Sequence, residues 1–283
     1  MLLFLLVERL SVKNADKLGQ FFGGLLFYLS IFRRNIVIEN VSTMKKWAKK
    51  HGHYNNLLNK NSKIIAKKIF KSNAGNFFYS ISLMNKSIDT VRKHIKICNS
   101  EILKKNEGGI ILFSHSGPWE LAAMLPKLLP SIFCNTNIAV MYRPLNNIYM
   151  NEWYLSKRER FGAKLYSRED GFLKIIRHIK NGSYMNIAFD IRMHQGKKIE
   201  LFDKLASTSK IPYALHKATS APVYTIYFSR ADDLSWEIQF EEIVPRDNAI
   251  CSETDLLRLA NKHLEQKICE NPHDYFFFQN RYK

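Results

Sequence analysis

The sequence predicts an α/β protein whose central, mostly parallel sheet is flanked by helices and preceded by a hydrophobic anchor helix and a helical layer. From residue 108 onward, short apolar runs rich in β-branched residues alternate with segments of helical spacing. Residues 33–107 instead read as mostly helical and strongly basic. We therefore expect an anchor at 1–34 and one domain at 35–283, made of a helical layer (35–107) and an α/β core (108–283).

Within the predicted core, the strands are recognised as short apolar runs and the helices by the residues that typically begin or end a helix. Residues 110–113 form a short apolar run, as in a buried strand. Gly117 and Pro118 then mark the start of a helix over 119–129, since proline suits the first helical position. Ser252 and Asp255 form a capping signal for the last helix. The other strands are predicted at 137–142, 184–189, 221–228 and 236–240, and the other helices at 146–161, 171–180, 208–219 and 252–269.

The composition is that of a basic globular protein. The 283 residues are 46% hydrophobic, which is enough to bury a sizeable core. Lys and Arg number 43 against 25 Asp and Glu, a formal net charge of +18. Such an excess attracts nucleic acid, anionic lipid headgroups or phosphorylated substrates, and composition alone does not choose among them.

The sequence offers no sign of a metal site or a cofactor. The four cysteines contain no C-x-x-C pair, which favours reduced thiols over a disulfide framework or a zinc site. They are Cys98, Cys134, Cys251 and Cys269. Neither phosphate-binding glycine motif occurs, so a nucleotide cofactor is not expected either.

The N-terminal segment from Leu18 to Phe32 carries no charge. A perpendicular span needs about 20 residues, so this stretch is short for one. Three interpretations stay open: a short membrane span, an anchor lying in the membrane plane, or a core helix. Arg33 and Arg34 follow it, and this basic exit favours a cytoplasmic location for the rest of the chain.

The strongest candidate for chemistry is the run from His115 to Glu120. His115 lies where a strand is predicted to end, and ligands bind at the carboxyl ends of strands in open α/β sheets. We expect the turn to bring Glu120 back to the imidazole, so that its carboxylate holds Nδ1–H and Nε2 can take a proton from a hydroxyl. The spacing alone fits a structural histidine equally well, but the strand–Gly-Pro–helix context favours a site.

These residues also carry a family resemblance. Residues 113–120 resemble the H-x4-[DE] motif of the lysophospholipid acyltransferases, and Trp119-Glu120 is similar to the branch that makes lipid A. Later blocks of that branch are matched in order by Tyr142-Arg143-Pro144 with Asn147, Arg158, Asp190, Leu201-Phe202 with Ala206 and Thr208, Asn271-Pro272 through Tyr275, and Arg281-Tyr282-Lys283. The positions that depart from its pattern are Pro118, Ile148, Ile191 and Asp203.

The resemblance implies late acyl transfer in lipid A synthesis, at the cytoplasmic face of a bacterial inner membrane. The implied donor is acyl carrier protein, and the implied acceptor is a hydroxyl on a hydroxyacyl chain of a phosphorylated disaccharide. His115 and Glu120 would be catalytic, and Arg158, Asp190 and Arg143 would bind substrate. Asp190 would orient Arg158 or a sugar hydroxyl. Donors for the oxyanion would be N–H groups near Gly117 or a nearby arginine.

Two alternatives stay open. The same chemistry could act on a lysophospholipid or another glycolipid. A second, different class is a basic protein without catalysis that binds a membrane surface or nucleic acid. Since no nucleic-acid-binding module is visible in the sequence, an anionic membrane surface is the expected partner and nucleic acid is not.

Overall fold

The computed structural model describes residues 2–53, 56–133, 138–167, 170–232, 234–246 and 252–283. Cys134 and Cys251 lie outside these residues. The helices α1 to α10 are Leu2–Arg9, Val12–Leu29, Ile31–Lys50, Ser62–Leu83, Ile88–His94, Leu125–Leu128, Ile148–Glu159, Phe172–Lys180, Ile211–Thr219 and Glu253–Glu270. The strands β1 to β9 are Ile95–Cys98, Gly109–Phe113, Ile138–Tyr142, Lys164–Ser167, Tyr184–Ala188, Lys197–Leu201, Lys204–Thr208, Val223–Arg230 and Trp236–Val244. Helices of the 3₁₀ type lie at Ser100–Ile102 and Trp119–Met124.

The strands confirm the predicted central, mostly parallel sheet. Its order is β1-β9-β8-β2-β5-β3-β4. The five strands from β8 to β4 run parallel, whereas β9 is antiparallel to β8 and β1 follows the direction of β9. β6 and β7 form a separate antiparallel hairpin. In the centre, Phe113 of β2 lies opposite Ala188 of β5, so these two strands end side by side.

Helices cover both faces of the sheet, as the fold class requires. All five residues of β2 are buried, and they alternate between two hydrophobic clusters. Ile110 and Leu112 pack with residues of α8, α9 and α10, whereas Ile111 and Phe113 pack with residues of α4 and α5. A strand buried on both faces reads as a continuous apolar run, which is why the sequence located β2 correctly.

Two predicted boundaries need correction. β1 lies inside the segment 35–107 that we predicted to be a helical layer, and it pairs with β9, so the sheet begins before residue 108. β1 is a four-residue edge strand and only partly buried, which gives it little of the apolar signal that marks β2. The predicted end of the anchor at residue 34 falls inside α3, so the anchor and the helical layer share one helix.

Besides β1, three strands were not predicted, and two helices differ from the prediction. β4 and the hairpin β6–β7 carry charged residues among their apolar ones, so their sequences resemble loops. The helix predicted from residue 208 begins at Ile211, because Thr208 is the last residue of β7. The helix predicted over 119–129 is a 3₁₀ helix for its first six residues, and Pro118 is its N-cap rather than its first helical residue.

The N-terminal helices form a layer against α4. α2 packs along α4, with Gly19 and Gly23 at the contact. The outward side chains are large and apolar; they include Phe21, Leu29 and Phe32, each more than half exposed. Among the described helices, none alone has the length and apolarity of a membrane span, whereas α2 and α3 taken together do, with a bend of 98° between them.

Replacing Gly23 by alanine is expected to loosen this layer. A Cβ there would collide with the backbone oxygen of Phe70 and come within 2.8 Å of the Lys71 Cα, and neither backbone atom can move freely. Overpacking of this kind costs about 1–3 kcal/mol. Gly24→Ala is the matched control, because nothing lies within 4 Å of its Cβ and alanine improves helix propensity by about 1 kcal/mol. Thermal unfolding of both variants in detergent checks this; equal melting temperatures would contradict it.

Candidate active site

His115 and Asp190 meet at the carboxyl edge of the sheet. Each lies two residues beyond the end of its strand, β2 or β5, and the two strands are parallel neighbours in register. His115 Nδ1 is 2.7 Å from Asp190 Oδ1, and the backbone N–H of His115 donates to Oδ2 at 2.8 Å. Both carboxylate oxygens therefore hold the same residue, one through its ring and one through its backbone.

This contact corrects the pairing expected from the sequence. We predicted that Glu120 would hold Nδ1 and that Asp190 would orient Arg158 or a sugar hydroxyl. Instead, Asp190 occupies Nδ1, and the Glu120 carboxylate accepts hydrogen bonds from Arg158 of α7: from Nε at 3.1 Å and from Nη2 at 2.9 and 3.2 Å. The Glu120 side chain is 4% exposed. A buried carboxylate needs such a charged partner, and the sequence could not show that α7 brings one.

The electrostatics of the pair favour an ionised aspartate. Burial acts to raise the pKa of the Asp190 carboxyl, but the His115 ring and backbone N–H and the charge of Arg281 outweigh it and lower that pKa. An ionised Asp190 accepts the Nδ1–H of His115, which leaves Nε2 as the basic nitrogen of a neutral imidazole. The His115 side chain is 13% exposed, so a molecule bound in the site can reach it.

The Arg158–Glu120 pair is also enclosed. The Arg158 guanidinium carbon lies 4.4 Å from the ring centroid of Tyr154 on the same helix. Burial acts to lower the pKa of Arg158, but Glu120 and Tyr154 outweigh it and raise that pKa. The pair thus places one positive and one negative group side by side in the wall of the site.

The C-terminal segment, residues 271–283, holds the loop that carries His115, residues 114–118, in place. The Phe276 N–H donates to His115 O at 2.9 Å, and the Gly117 N–H donates to Asp274 O at 3.0 Å. Gly117 has φ 60°, and a Cβ there would lie 2.7 Å from Trp236 Cζ3, so this position requires glycine. Since the Gly117 N–H donates to Asp274 O, that group is not a free oxyanion donor. The expected sources that remain are the other N–H groups near Gly117 and a nearby arginine.

Two cavities meet at His115. The first, here called the sheet cavity, has a volume of about 400 Å³ and lies between the 3₁₀ helix, the ends of β3 and β5, and α7. The second, the anchor cavity, has a volume of about 870 Å³ and lies between α1, α2, α4 and the C-terminal segment. Both are mainly apolar, and both are lined by His115, Trp119 and Glu120. The Trp119 ring centroid lies 4.5 Å from that of His115, between the two spaces.

The remaining predicted residue lies in the same site. Arg143 directly follows β3, is exposed, and lines the sheet cavity together with Arg158. The structure therefore brings all five sequence-predicted residues, His115, Glu120, Arg143, Arg158 and Asp190, to one edge of the sheet. In the part of the chain that the structure describes, no group of three or more metal-ligating side chains is placed to hold a metal ion.

Comparisons with known proteins give the family. The family model described as bacterial lipid A biosynthesis acyltransferase matches residues 56–283. Lipid A biosynthesis acyltransferase 2 of Shigella flexneri is 24% identical over 185 residues, which are 62% of this chain and 56% of that protein. The chain thus spans little more than half the length of this curated relative.

A solved structure is also similar: the 1-acyl-sn-glycerophosphate (LPA) acyltransferase PlsC from Thermotoga maritima, at 14% identity and a TM-score of 0.41, covering 92% of this chain and 99% of that one. We draw no conclusion from a similarity at that level. The family model, in contrast, covers well over half of the sequence. The chain therefore belongs to the bacterial lipid A biosynthesis acyltransferase family.

Proposed function

We propose that this protein transfers a fatty acyl group from acyl carrier protein to a hydroxyl of a hydroxyacyl chain on a lipid A precursor. The observation that carries the proposal is the His115–Asp190 pair at the junction of two apolar cavities. An acyl-transfer enzyme of this kind must bring two lipid chains to one base, and two apolar spaces that share one imidazole meet that need. The family supports the reaction class, and the contacts support the role that we propose for each residue.

The reaction begins with proton removal. His115 Nε2 takes the proton of the acceptor hydroxyl, while Asp190 holds the ring and stabilises the imidazolium that forms. The hydroxyl oxygen attacks the thioester carbonyl and forms the new ester bond. The tetrahedral intermediate then collapses, the C–S bond breaks, and the departing thiolate takes the proton back from His115. The atoms balance without an enzyme-bound acyl group.

The positive groups of the sheet cavity have separate tasks in this proposal. Arg158 is fixed by Glu120 at the cavity wall, so its guanidinium supplies a preorganised charge for the oxyanion. Arg143 is exposed at the rim of the same cavity and is free to bind a substrate phosphate. Glu120 acts on the reaction through Arg158, whereas Asp190 acts through His115.

We further propose that the protein works at the cytoplasmic face of the inner membrane. The exposed apolar side chains of α1 to α3 offer a surface for lipid, and Arg33 and Arg34 follow them directly. The net charge of +18 favours an anionic membrane surface and would also attract an acidic carrier protein.

Transfer itself tests the proposal. The purified protein in detergent is given acyl-loaded acyl carrier protein and a phosphorylated disaccharide that carries hydroxyacyl chains, and the lipid product is followed by mass spectrometry. We expect one added acyl chain per acceptor with the natural sequence. A parallel reaction uses a lysophospholipid acceptor. Faster acylation of the lysophospholipid than of the disaccharide would refute the lipid A assignment. So would the absence of acyl transfer to both acceptors.

A further inference from the structure

We infer that the anchor cavity binds an acyl chain of the membrane-lipid acceptor, so that the N-terminal helices are part of the acceptor site and not only an anchor. The inference rests on the proposed function, because it divides the two substrates of that reaction between the two cavities. The acceptor chain enters from the side of α1 and α2, and the donor chain occupies the sheet cavity.

The walls of the anchor cavity carry the first step. Phe4 of α1 and Phe22 and Leu26 of α2 line it on one side, and Phe276 and Phe278 of the C-terminal segment line it on the other. The outward side chains of the same two helices are exposed and apolar. An acyl chain that leaves a lipid layer against α1 and α2 would therefore move from one apolar environment into another. The free-energy cost of this transfer is small, because no apolar surface becomes exposed to water.

The volumes of the cavities separate the two substrates. The sheet cavity has about 400 Å³ and is lined in part by buried side chains of the core, among them Ala123 and Val140. A space of this volume suits a single chain of limited length. The anchor cavity has about twice that volume and lies beneath the helices that face lipid, which suits an acceptor that carries several chains.

Charge at the anchor cavity agrees with an anionic lipid. Arg33, at the start of α3, lines this cavity, and its guanidinium Nη1 donates to Phe278 O at 3.1 Å. Arg34 follows it in the sequence. An acceptor chain inserted between α2 and the C-terminal segment would place its phosphorylated headgroup close to these guanidinium groups, which bind phosphate well.

The test fills one cavity at a time. Ala74 lines the anchor cavity and is only half-buried, so Ala74→Phe narrows it, and Ala74→Ser is the control of unchanged size. We expect Ala74→Phe to raise the KM for the lipid acceptor about tenfold, the effect of excluding about two methylene groups. The KM for the acyl donor and the preferred donor chain length should stay those of the natural protein.

Ala123→Leu fills the sheet cavity and should give the reverse result: a shift toward shorter donor chains at an unchanged KM for the acceptor. If Ala74→Phe does not fold, Leu26→Trp narrows the same cavity from an exposed position of α2. An unchanged acceptor KM in a folded Ala74→Phe or Leu26→Trp protein overturns the inference, and so does an altered donor preference in either of these two variants. A natural protein without transfer activity refutes the proposed function instead, so the two failures are distinguishable.

Discussion

Replacement of His115 by alanine is expected to lower acyl transfer by about 10²–10⁴-fold, the range that a general base contributes. Nε2 is the basic nitrogen of the site, since Nδ1 is occupied by Asp190. The loss should appear in kcat rather than in KM, because the imidazole accepts the proton in the transition state and contributes little to binding the lipid chains. Initial rates with the natural donor and acceptor check the result. If the alanine variant transfers the acyl group at the full rate, His115 is not the general base.

Asp190→Asn is the sharper form of the same test. The amide has the size of the carboxylate, but it can no longer fix the donor tautomer at Nδ1 or stabilise the imidazolium. We expect a loss in kcat that approaches that of His115→Ala, and the double variant should be no worse than the His115 single variant. Thermal unfolding of each variant serves as the control that it is folded. Near-normal kcat in a folded Asp190→Asn protein would return the pairing role to Glu120.

Much of the fold could be predicted from the sequence because its central strands are buried on both faces. β2 shows this as an uninterrupted apolar run, and β5 as a run broken only by the buried Asn186. β1, β4 and the β6–β7 hairpin could not be found this way, because each is short and partly exposed and therefore carries charged residues. The apolar stretch 18–32 is found as the end of α2 and the start of α3, bent apart at Ser30.

The sequence predicted which residues form the site, but not which of them contact each other. His115 follows the predicted strand 110–113 by two residues, and Asp190 comes directly after the predicted strand 184–189. Residues placed in this way meet if the two strands are parallel neighbours, as they are here. The sequence does not give strand order: β5 lies between β2 and β3, although β3 comes directly after β2 along the chain. For the same reason the sequence could not show that α7 brings Arg158 to Glu120.

The Arg158–Glu120 pair should give the second large effect, this time on stability. Arg158→Met leaves the Glu120 carboxylate buried without its partner, at a cost of about 3–5 kcal/mol. Glu120→Leu should destabilise by a similar amount, because it leaves the guanidinium buried. The double variant removes both charges and should recover most of the loss, since an apolar pair of similar volume is tolerated where a broken ion pair is not. Denaturant unfolding of the three variants measures this, and additive losses would contradict the coupling.

The same double variant separates packing from chemistry. If the pair only ties the 3₁₀ helix to α7, a protein that regains its stability should also regain its transfer rate. If Arg158 stabilises the oxyanion, as proposed, kcat should stay about 10²–10³-fold low, because the double variant lacks the guanidinium that Glu120 fixes at the cavity wall. We expect the second result, since Arg158 lines the sheet cavity beside His115 and Glu120 holds it there with three hydrogen bonds. Recovery of kcat together with stability would confine both residues to a structural role.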